Sequence, residues 1–543
     1  MKPTMEQDEI TEHSVSMAPG DFLKVIAFAG AGKTTTLKGV AKARRDRGGY
    51  LVFNAANAEE AKRKLALTKC TATTMHALAY GAVRESIGRP ASLNARVVRE
   101  SGVMERFRIP RVEGWNDYRV AAAVIRTMGA FCNSADQEFL VSHAAEALIS
   151  SVGDPDFIRD GKKRDIARNT IDKLGGVLSQ MAEAFFHKCM EDNLYSHDMY
   201  LKAIDLSPDL RNSAFGMFRY LMVDEAQDIN PVQRSIIMKT GLPIIAVGDP
   251  FQQIYSWRGA ENALALMPGR ELYLTQSFRF GEKIAEVARH ILSVRPDGGP
   301  EQRLIGAGRD DITGHTGSKL AIICRTNGGM LDEALNLMKR GRSLHVDNMA
   351  GLKRDVLSAQ ALFDGRLRDI QSPELKHFET WDELKIEADE GDNTLARLAG
   401  IVEENMVPMI EQLADHQQSD ASKAEISICT AHRSKGMEWP AVALGGDWKN
   451  VVQMSKRHQK AQTLSEKHKT LAMEEFNALY VAATRPILRL ARHEKILFPE
   501  PELDLDQVPA GYTPQDMSTE RTGRTAPAAV SEPMQNLEPE RWG

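Results

Sequence analysis

Short apolar runs that end in polar or glycine residues recur along this chain and are typical of buried parallel strands. Residues 24–28 (KVIAF), 220–223 (YLMV), 243–247 (PIIAV) and 320–324 (LAIIC) have the length and composition of such strands. Between the first and second of these runs, residues 86–194 are patterned as helices instead. The pattern predicts an α/β fold in which parallel sheets are flanked by helices.

Polar residues directly follow two of these predicted strands. Asp224 and Glu225 end the run at 220–223, and Gly248 and Asp249 end the run at 243–247. The carboxyl ends of neighbouring parallel strands meet at one edge of a sheet, where ligand crevices form. We therefore expect these side chains to share one ligand-binding edge with Gln252, which follows a few residues later.

A phosphate-binding loop follows the first predicted strand, where residues 29–36 read AGAGKTTT. Gly30 and Gly32 let backbone N–H groups wrap a phosphate, and the following helix N-terminus favours its charge. Lys33 is expected to reach the β and γ phosphates, and Thr34 to hold Mg²⁺. Ala27 stands where the usual G-x-x-x-x-G-K-[ST] pattern begins with glycine, so the downstream Asp-Glu pair adds the specificity.

The order of the motifs resembles that of superfamily 1 DNA helicases of the UvrD/Rep/PcrA type, and most of all the F-box DNA helicase branch, without the F-box. The resemblance covers residues 4–497. Its further motifs are residues 4–7 (TMEQ, the Q motif), 53–54 (FN, motif Ia), 73–76 (TTMH, motif Ib), 196–202 (SHDMYLK, typical of the F-box branch), 274–279 (LTQSFR, motif IV), 430–439 (TAHRSKGMEW, motif V) and 475–485 (EFNALYVAATR, motif VI).

This resemblance implies two RecA-like P-loop domains with mainly helical insertions. We expect RecA-like domain 1A at residues 1–85 and 195–280, with the helical insertion 1B at 86–194. RecA-like domain 2A is expected at 281–344 and 421–497, with a reduced 2B-like insertion at 345–420. Residues 498–543 contain seven prolines and little apolar periodicity, which predicts a disordered acidic tail.

The resemblance also assigns roles at an ATP site. Lys33 would grip the phosphates, Asp224 would bind Mg²⁺, and Glu225 would orient and deprotonate the attacking water. Gln252 would sense the γ phosphate, while Arg279 and Arg485 would act as arginine fingers. The full ATP-binding set is Gln7, Ala29, Gly30, Ala31, Gly32, Lys33, Thr34, Thr35, Phe278, Arg279, Gly436, Glu438 and Arg485, with Phe278 on the adenine, Glu438 on the ribose, and Thr34 and Asp224 on Mg²⁺.

A nucleic-acid surface is expected next to this site. Tyr255 and Trp257, at positions i and i+2, would on their own indicate strand or core packing, but the flanking GDPFQQ and RGA favour base stacking without sequence preference. The remaining expected DNA contacts are Phe53, Asn54, His76, Arg258, Arg325 and His432. A purely structural role remains the alternative for His76 and His432.

Charge is distributed unevenly along the 543 residues. The formal net charge is −5, but residues 498–543 hold nine Asp or Glu and three Arg, which leaves the body at about +1. A near-neutral body argues against a broadly basic binder and favours a local groove in which a few Lys and Arg side chains meet phosphates.

Cysteine content and hydropathy limit the kinds of structural site and the cellular compartment that the chain can have. Cys70, Cys132, Cys189, Cys324 and Cys429 include no close pair, which excludes a CxxC zinc site and argues against a disulfide framework. No apolar run approaches eighteen residues, and the first twenty residues lack an apolar core. We expect a soluble cytoplasmic protein, nuclear in a eukaryote, without a membrane partner.

The expected function is that of an ATP-dependent helicase or translocase on single-stranded DNA and tailed duplexes, serving repair, recombination or replication. The resemblance implies 3′-to-5′ movement. One alternative is a translocase that removes recombinase or other proteins from single-stranded DNA with little unwinding. Others are a helicase subunit of a nuclease complex, an RNA helicase, and an ATP-gated binding module without turnover, against which Glu225, Gln252 and Arg485 argue. The acidic tail is the candidate site for a protein partner.

Overall fold

A six-stranded parallel sheet carries the first half of the fold. The computed structural model describes residues 2–88, 98–112, 115–152, 155, 161–255, 262–299, 304–309, 319–376, 378–389, 393–461 and 466–498. The strands are β1 (Phe22–Ala27), β2 (Gly48–Leu51), β3 (Cys70–Thr73), β4 (Tyr220–Val223), β5 (Ile244–Gly248) and β6 (Arg270–Leu274), in the order β3-β2-β4-β5-β1-β6. The two strands that precede the acidic residues, β4 and β5, are parallel neighbours with Met222 opposite Ile245. The apolar runs therefore predicted these strands to within one or two residues.

A five-stranded parallel sheet carries the second half. A short ladder of β7 (Gln276–Ser277) and β8 (Ile305–Gly306) precedes it. The strands of the sheet are β9 (Leu320–Cys324), β10 (Leu344–Val346), β11 (Ile426–Thr430), β12 (Trp439–Leu444) and β13 (Pro486–Ala491), in the order β10-β11-β9-β12-β13. Together the two sheets confirm the predicted α/β class.

Helices cover both sheets and form the segments between their strands. In the first half these are α1 (Met5–Ser16), α2 (Lys33–Ala43), α3 (Ala55–Leu65), α4 (Met75–Ile87), α5 (Glu100–Arg106), α6 (Asp117–Asn133), α7 (Val141–Val152), α8 (Gly161–Glu191), α9 (His197–Leu206), α10 (Pro208–Phe215), α11 (Pro231–Lys239) and α12 (Ala263–Leu266). In the second half they are α13 (Glu282–Ser293), α14 (Asn327–Lys339), α15 (Met349–Phe363), α16 (Trp381–Asp389), α17 (Asn393–Glu403), α18 (Val407–His416), α19 (Ala431–Ser434), α20 (Val451–Ala461), α21 (Glu466–Ala483) and α22 (Glu494–Leu497).

Helices from both segments that we predicted as insertions share buried apolar clusters with the sheets. Phe131 of α6 and Phe185 of α8 belong to one buried cluster with Leu221 of β4. In the second half, Leu352 of α15 and Ile410 of α18 share a cluster with strands β9, β10 and β11. Helices α15 and α18 therefore pack against the second sheet, and the domain boundaries stay a prediction.

A third cluster reaches from the second sheet to the predicted phosphate-binding loop. Phe476 and Tyr480 of α21 pack in it together with Phe28, which directly follows β1. This packing holds α21 beside the loop. Within the described part of the chain, no helix is long and apolar enough to cross a membrane. The predicted acidic tail lies outside the described residues, apart from Phe498.

Candidate nucleotide site and nucleic-acid interface

The predicted phosphate-binding loop connects β1, which ends at Ala27, to α2, which begins at Lys33. Gly30 and Gly32 have φ angles of +72° and +79°, in the left-handed region that disfavours side chains. A Cβ on Gly30 would also lie 2.5 Å from Ser277 Oγ. The first turn of α2 leaves backbone N–H groups beside this loop, an arrangement that suits a phosphate.

The other predicted loop residues lie along the same segment. Ala29 and Ala31 are in the loop, and Thr34 and Thr35 are in the first turn of α2. The Ala29 N–H donates to the Tyr480 hydroxyl oxygen at 3.3 Å, so α21 contacts the loop backbone directly. The loop is thus held from the second half of the chain as well as from its own sheet.

Asp224 and Glu225 directly follow β4 and meet the loop through Lys33. Lys33 Nζ donates to both Glu225 carboxylate oxygens at 2.8 Å. Asp224 accepts a hydrogen bond from the Glu225 N–H at 3.0 Å and another from the Tyr50 hydroxyl. Glu225 has a φ of +51°, which is uncommon for a residue with a side chain and must be held by these contacts.

The charges of this group control one another's protonation. Burial lowers the pKa of Lys33, but attraction to Glu225, Asp224 and Asp249 outweighs it, and the net pKa is raised. Burial would raise the pKa of Glu225, but Lys33 and Lys435 hold it below its ordinary value. Burial and then repulsion from Glu225 raise the pKa of Asp224. A cation arriving at Asp224 would lower that pKa and favour its carboxylate form.

A cleft with a volume of about 190 Å³ lies beside the loop. Its lining residues are Lys2, Pro3, Gln7, Thr11, Gly32, Thr35, Thr36, Gly39 and Phe278. Gln7 is 6 % exposed and is fixed by a capping box at the start of α1, in which its Oε1 accepts from the Thr4 N–H. Its amide nitrogen faces Gly32. A polar amide and an aromatic ring beside a phosphate-binding loop fit an adenine nucleotide.

The two side chains predicted for Mg²⁺ come from different elements of the first half, with Thr34 in the first turn of α2 and Asp224 directly after β4. Mg²⁺ commonly takes one or two protein ligands and completes its oxygen shell with substrate phosphates and water. Among the described residues, no group of three or more His, Cys, Asp or Glu side chains could hold a metal. The donor set therefore fits a metal that binds together with the nucleotide.

Gln252 and Arg485 meet where the first sheet approaches α21. Arg485 Nη2 donates to Gln252 Oε1 at 3.0 Å, and Gln252 Nε2 donates to Asp249 Oδ2 at 2.6 Å. Arg485 is 2 % exposed. Burial, followed by repulsion from Arg279, lowers the pKa of Arg485 to about 9, so it is still a cation at neutral pH. The three hydrogen bonds described for it go to neutral oxygens, and an entering anion would therefore attract it strongly.

Arg279 and Glu438, both predicted to contact ATP, pair with each other in this structure. Arg279 Nε and Nη2 donate to Glu438 Oε1 at 2.9 and 2.6 Å, and Nη1 donates to the Thr484 carbonyl at 2.9 Å. Gly436, two residues before Glu438, has a φ of +84°. The Phe278 N–H donates to the loop carbonyl of Gly30 at 2.9 Å. A nucleotide that used Arg279 and Glu438 would have to compete with their ion pair.

Phe53, Tyr255 and His432 form an aromatic cluster. The rings of Phe53 and Tyr255 stack with centroids 6.1 Å apart, and the His432 ring lies 6.1 Å from that of Tyr255. The Tyr255 hydroxyl donates to the His432 carbonyl at 3.1 Å. Burial, then repulsion from Arg325, lowers the pKa of His432 to about 4, so the ring is neutral at pH 7. Phe53 is 47 % exposed, and the cluster therefore presents an aromatic surface to solvent.

His76 and Asn54, also predicted to contact DNA, have structural contacts of their own. His76 packs edge-on against Tyr200, with ring centroids 6.1 Å apart, and burial lowers its pKa. The Asn54 side chain caps α3 by accepting a hydrogen bond from the Asn57 N–H. These contacts give both residues a structural role that does not require DNA, so their DNA contacts stay predictions.

Arg325 is engaged by a carboxylate. Its Nε and Nη2 donate to the two oxygens of Glu475 at 2.8 and 2.7 Å. A DNA phosphate would compete with Glu475 for this guanidinium. Trp257 and Arg258, the other predicted DNA contacts, lie outside the described residues.

Tyr50, Gln227 and Lys435 belong to this site but were not predicted from the sequence. Tyr50 lies in an apolar strand and is typical of a core residue, and its partner Asp224 is 174 positions away. Gln227 and Lys435 lie inside recognised motifs, between residues with assigned chemistry. For Gln227 the available signal was an amide directly before Asp228 and two residues after Glu225.

Two family models match this chain. Residues 7–268 match the UvrD/REP helicase N-terminal domain, and residues 345–491 match the UvrD-like helicase C-terminal domain. The second match includes the segment that we predicted as a reduced insertion.

Several curated proteins are also similar to the chain. It is 30 % identical over 516 residues to "F-box DNA helicase 1" of Gallus gallus, covering 89 % of this chain and 48 % of that protein. It is 28 % identical over 542 residues to "F-box DNA helicase protein 1" of Schizosaccharomyces pombe, covering 91 % and 57 % respectively. "ATP-dependent DNA helicase PcrA" of Leuconostoc citreum is 29 % identical over 126 residues, 21 % of this chain and 17 % of that protein. The chain spans about half the length of the two F-box relatives.

Proposed function

Because this chain belongs to the UvrD-like family of ATP-hydrolysing DNA helicases, we propose that it hydrolyses ATP to move along single-stranded DNA. Tailed duplex DNA is the proposed substrate for unwinding, and 3′-to-5′ is the proposed direction. Repair, recombination or replication is the proposed setting.

The observation that carries this proposal is the meeting of two groups of side chains from different halves of the chain. Lys33 and Glu225 lie at the edge of the first sheet, and Arg485, directly before β13, hydrogen-bonds Gln252 there. The segment of Gln252 continues to Tyr255, whose ring stacks on Phe53. A change in the fit between the halves would therefore act on the hydrolytic groups and on the aromatic cluster together.

In the proposed reaction, the loop N–H groups and Lys33 hold the phosphates, and Lys33 leaves Glu225 to do so. Glu225 then orients the attacking water and accepts its proton. Arg485, and Arg279 once released from Glu438, stabilise the negative charge that develops during phosphoryl transfer. Bound Mg²⁺, held by Thr34 and Asp224, would supply charge neutralisation at the β and γ phosphates.

The proposed grip on DNA is sequence-independent. Stacking of a base on an aromatic side chain is worth about 1 to 3 kcal/mol and does not depend on the base. Tyr255 and Phe53 supply exposed or half-buried rings for it, and His432 is neutral and cannot add charge at pH 7. Trp257 and Arg258 are proposed to extend this surface.

Two other activities remain compatible with the same site. A translocase that strips recombinase from single-stranded DNA would need the same ATP chemistry but little duplex opening. A helicase subunit of a nuclease complex would need a partner, for which the C-terminal tail is the proposed contact.

The test is ATPase activity with single-stranded DNA, duplex DNA and RNA, followed by unwinding of 3′-tailed and 5′-tailed duplexes. We expect stimulation by single-stranded DNA and unwinding from the 3′ tail. DNA-stimulated hydrolysis without unwinding would favour the stripping translocase, and a 5′ preference would overturn the direction. Absence of DNA-stimulated hydrolysis would contradict the proposal itself.

A further inference from the structure

Gln227 is a wholly buried amide two residues after Glu225. Its Nε2 donates to Glu225 Oε2 at 2.7 Å and to Asp228 Oδ2 at 3.1 Å. Its Oε1 accepts from the Asp249 N–H at 3.0 Å. One side chain therefore connects the ends of β4 and β5.

The orientation of this amide is set by its neighbours. The Asp249 N–H can only donate, so it must face the amide oxygen. The two carboxylates can only accept when ionised, so they must face the amide NH₂. The flipped amide would place its oxygen against both carboxylates and its NH₂ against an N–H group. The amide NH₂ of Gln227 is therefore the group that faces Glu225.

The neighbouring strand leaves room for the amide. A Cβ on Gly248, the last residue of β5, would lie 2.2 Å from Gln227 Oε1. Any side chain at this position would push the amide out of place. The absence of a side chain at Gly248 is therefore matched to the position of Gln227.

The amide also connects Glu225 to the second half of the chain. Asp228 Oδ2, which accepts from Gln227, accepts from Lys435 Nζ as well. Lys435 further donates to the Gln252 carbonyl at 2.7 Å, and its Nζ lies 5.1 Å from the centre of the Tyr255 ring. The contacts run from the aromatic cluster through Lys435 and Asp228 to Gln227 and Glu225.

We propose that Gln227 is a positioning residue that holds Glu225 for hydrolysis and makes this position depend on Asp249 and on Lys435. This inference rests on the proposed function and deepens it. Lys33 holds both Glu225 oxygens in this structure and must leave when it engages phosphates. Gln227 remains as a neutral donor, which fixes the carboxylate without taking its charge away.

The test compares Gln227→Met, which keeps the length of the side chain and removes the amide, with Gln233→Met as the matched control. Gln233 Oε1 accepts from the Asn230 N–H and so contributes a cap to α11, without a described contact to Glu225. We measure kcat and KM with and without single-stranded DNA, the affinity for a fluorescent ATP analogue, and the thermal midpoint.

For Gln227→Met we expect kcat with DNA to fall on the order of 10²-fold, the cost of a misplaced catalytic group. Analogue affinity and KM should stay within about twofold, because Lys33 and the loop are intact. The ratio of DNA-stimulated to basal hydrolysis should also fall. Gln233→Met should lower the thermal midpoint and leave kcat and this ratio unchanged.

Gly248→Ala tests the same role without replacing Gln227, because the Cβ of the new alanine would displace the Gln227 amide. It should reproduce the loss of kcat and of DNA stimulation, also when Gln227→Met is too unstable to purify. Normal kcat in either variant, or equal losses in the control, would overturn the positioning role while leaving the proposed function standing. A wild-type chain without DNA-stimulated hydrolysis would instead overturn the proposed function and this role with it.

Discussion

Replacing Arg485 with Met should separate catalysis from stability. Arg485 is buried, with its Nη2 on Gln252 Oε1 and its Nε on the Val481 carbonyl. A structural arginine and an arginine finger would both be found in such a place. They differ in what the molecule loses when the cation is removed.

The magnitude follows from the environment of the guanidinium. The pKa of Arg485 falls from 12.5 to about 9 because of burial and then Arg279. At about 1.4 kcal/mol per pKa unit, this corresponds to roughly 5 kcal/mol of unfavourable surroundings for the cation. Leaving Gln252 Oε1 unpaired costs about 1 to 3 kcal/mol, and Met fills much of the space. The free energy of unfolding should therefore fall by less than about 2 kcal/mol, or rise.

Catalysis should respond differently. An arginine finger contributes on the order of 10³-fold or more to kcat, which corresponds to about 4 kcal/mol in the transition state. Arg485→Met should lose this contribution while ATP affinity changes only modestly. The measurements are kcat with saturating single-stranded DNA, affinity for an ATP analogue, and urea unfolding without nucleotide.

Arg44→Met is the matched control. Arg44 is 8 % exposed at the end of α2, burial lowers its pKa, and its Nη1 donates to the Ser14 carbonyl at 2.6 Å. Its replacement should change stability to a similar small extent and leave kcat unchanged. A fall of more than about 4 kcal/mol in the unfolding free energy of Arg485→Met, as expected for breaking a structural buried pair, would refute the reasoning. So would a kcat within tenfold of wild type.

Three further predictions concern other groups of the site. Lys33→Ala should lose both ATP binding and turnover, whereas Glu225→Gln should bind an ATP analogue normally and release almost no phosphate; near-normal turnover in either contradicts the assignment. Trp257→Ala should weaken unwinding far more than ATPase measured without DNA, and equal losses of folding, ATPase and unwinding would identify a core residue. His432 has a pKa near 4 in the folded state against 6.5 ordinarily, so its native ring resists protonation and stability is lost as pH falls from about 6.5 to 4. The pKa of Asp228 is raised to about 6, chiefly by burial, so this carboxyl changes stability with pH in the opposite sense. The test therefore compares His432→Gln with wild type, which share Asp228. The urea midpoint of the variant should fall less between pH 7 and 5 than that of wild type, and an equal fall contradicts the prediction.

The parts of the site that the sequence predicted are those whose chemistry is local. Gly30, Gly32 and Lys33 lie within four residues and follow an apolar strand, so the loop could be predicted together with the strand before it and the helix after it. Asp224 and Glu225 end another apolar run in the same way. Because carboxyl ends of parallel strands share an edge, their meeting with Lys33 followed from the predicted fold.

Contacts between distant segments could not be predicted in this way. Tyr50 contacts Asp224 from another strand, and an aromatic residue in an apolar run is typical of a core position. The Arg279–Glu438 ion pair joins two side chains that were each assigned to ATP. Neither motif by itself indicates that the two side chains contact each other. Such pairings depend on how the two halves of the chain fit together, which residue patterns within one segment do not encode.

The most direct test of the central claim is the number of ATP molecules hydrolysed per encounter with single-stranded DNA of increasing length. A protein that couples hydrolysis at Glu225 to movement along stacked bases should hydrolyse ATP in proportion to strand length before it dissociates. Glu225→Gln should show no such increase. ATP consumption that is independent of strand length in the wild-type protein would contradict the account.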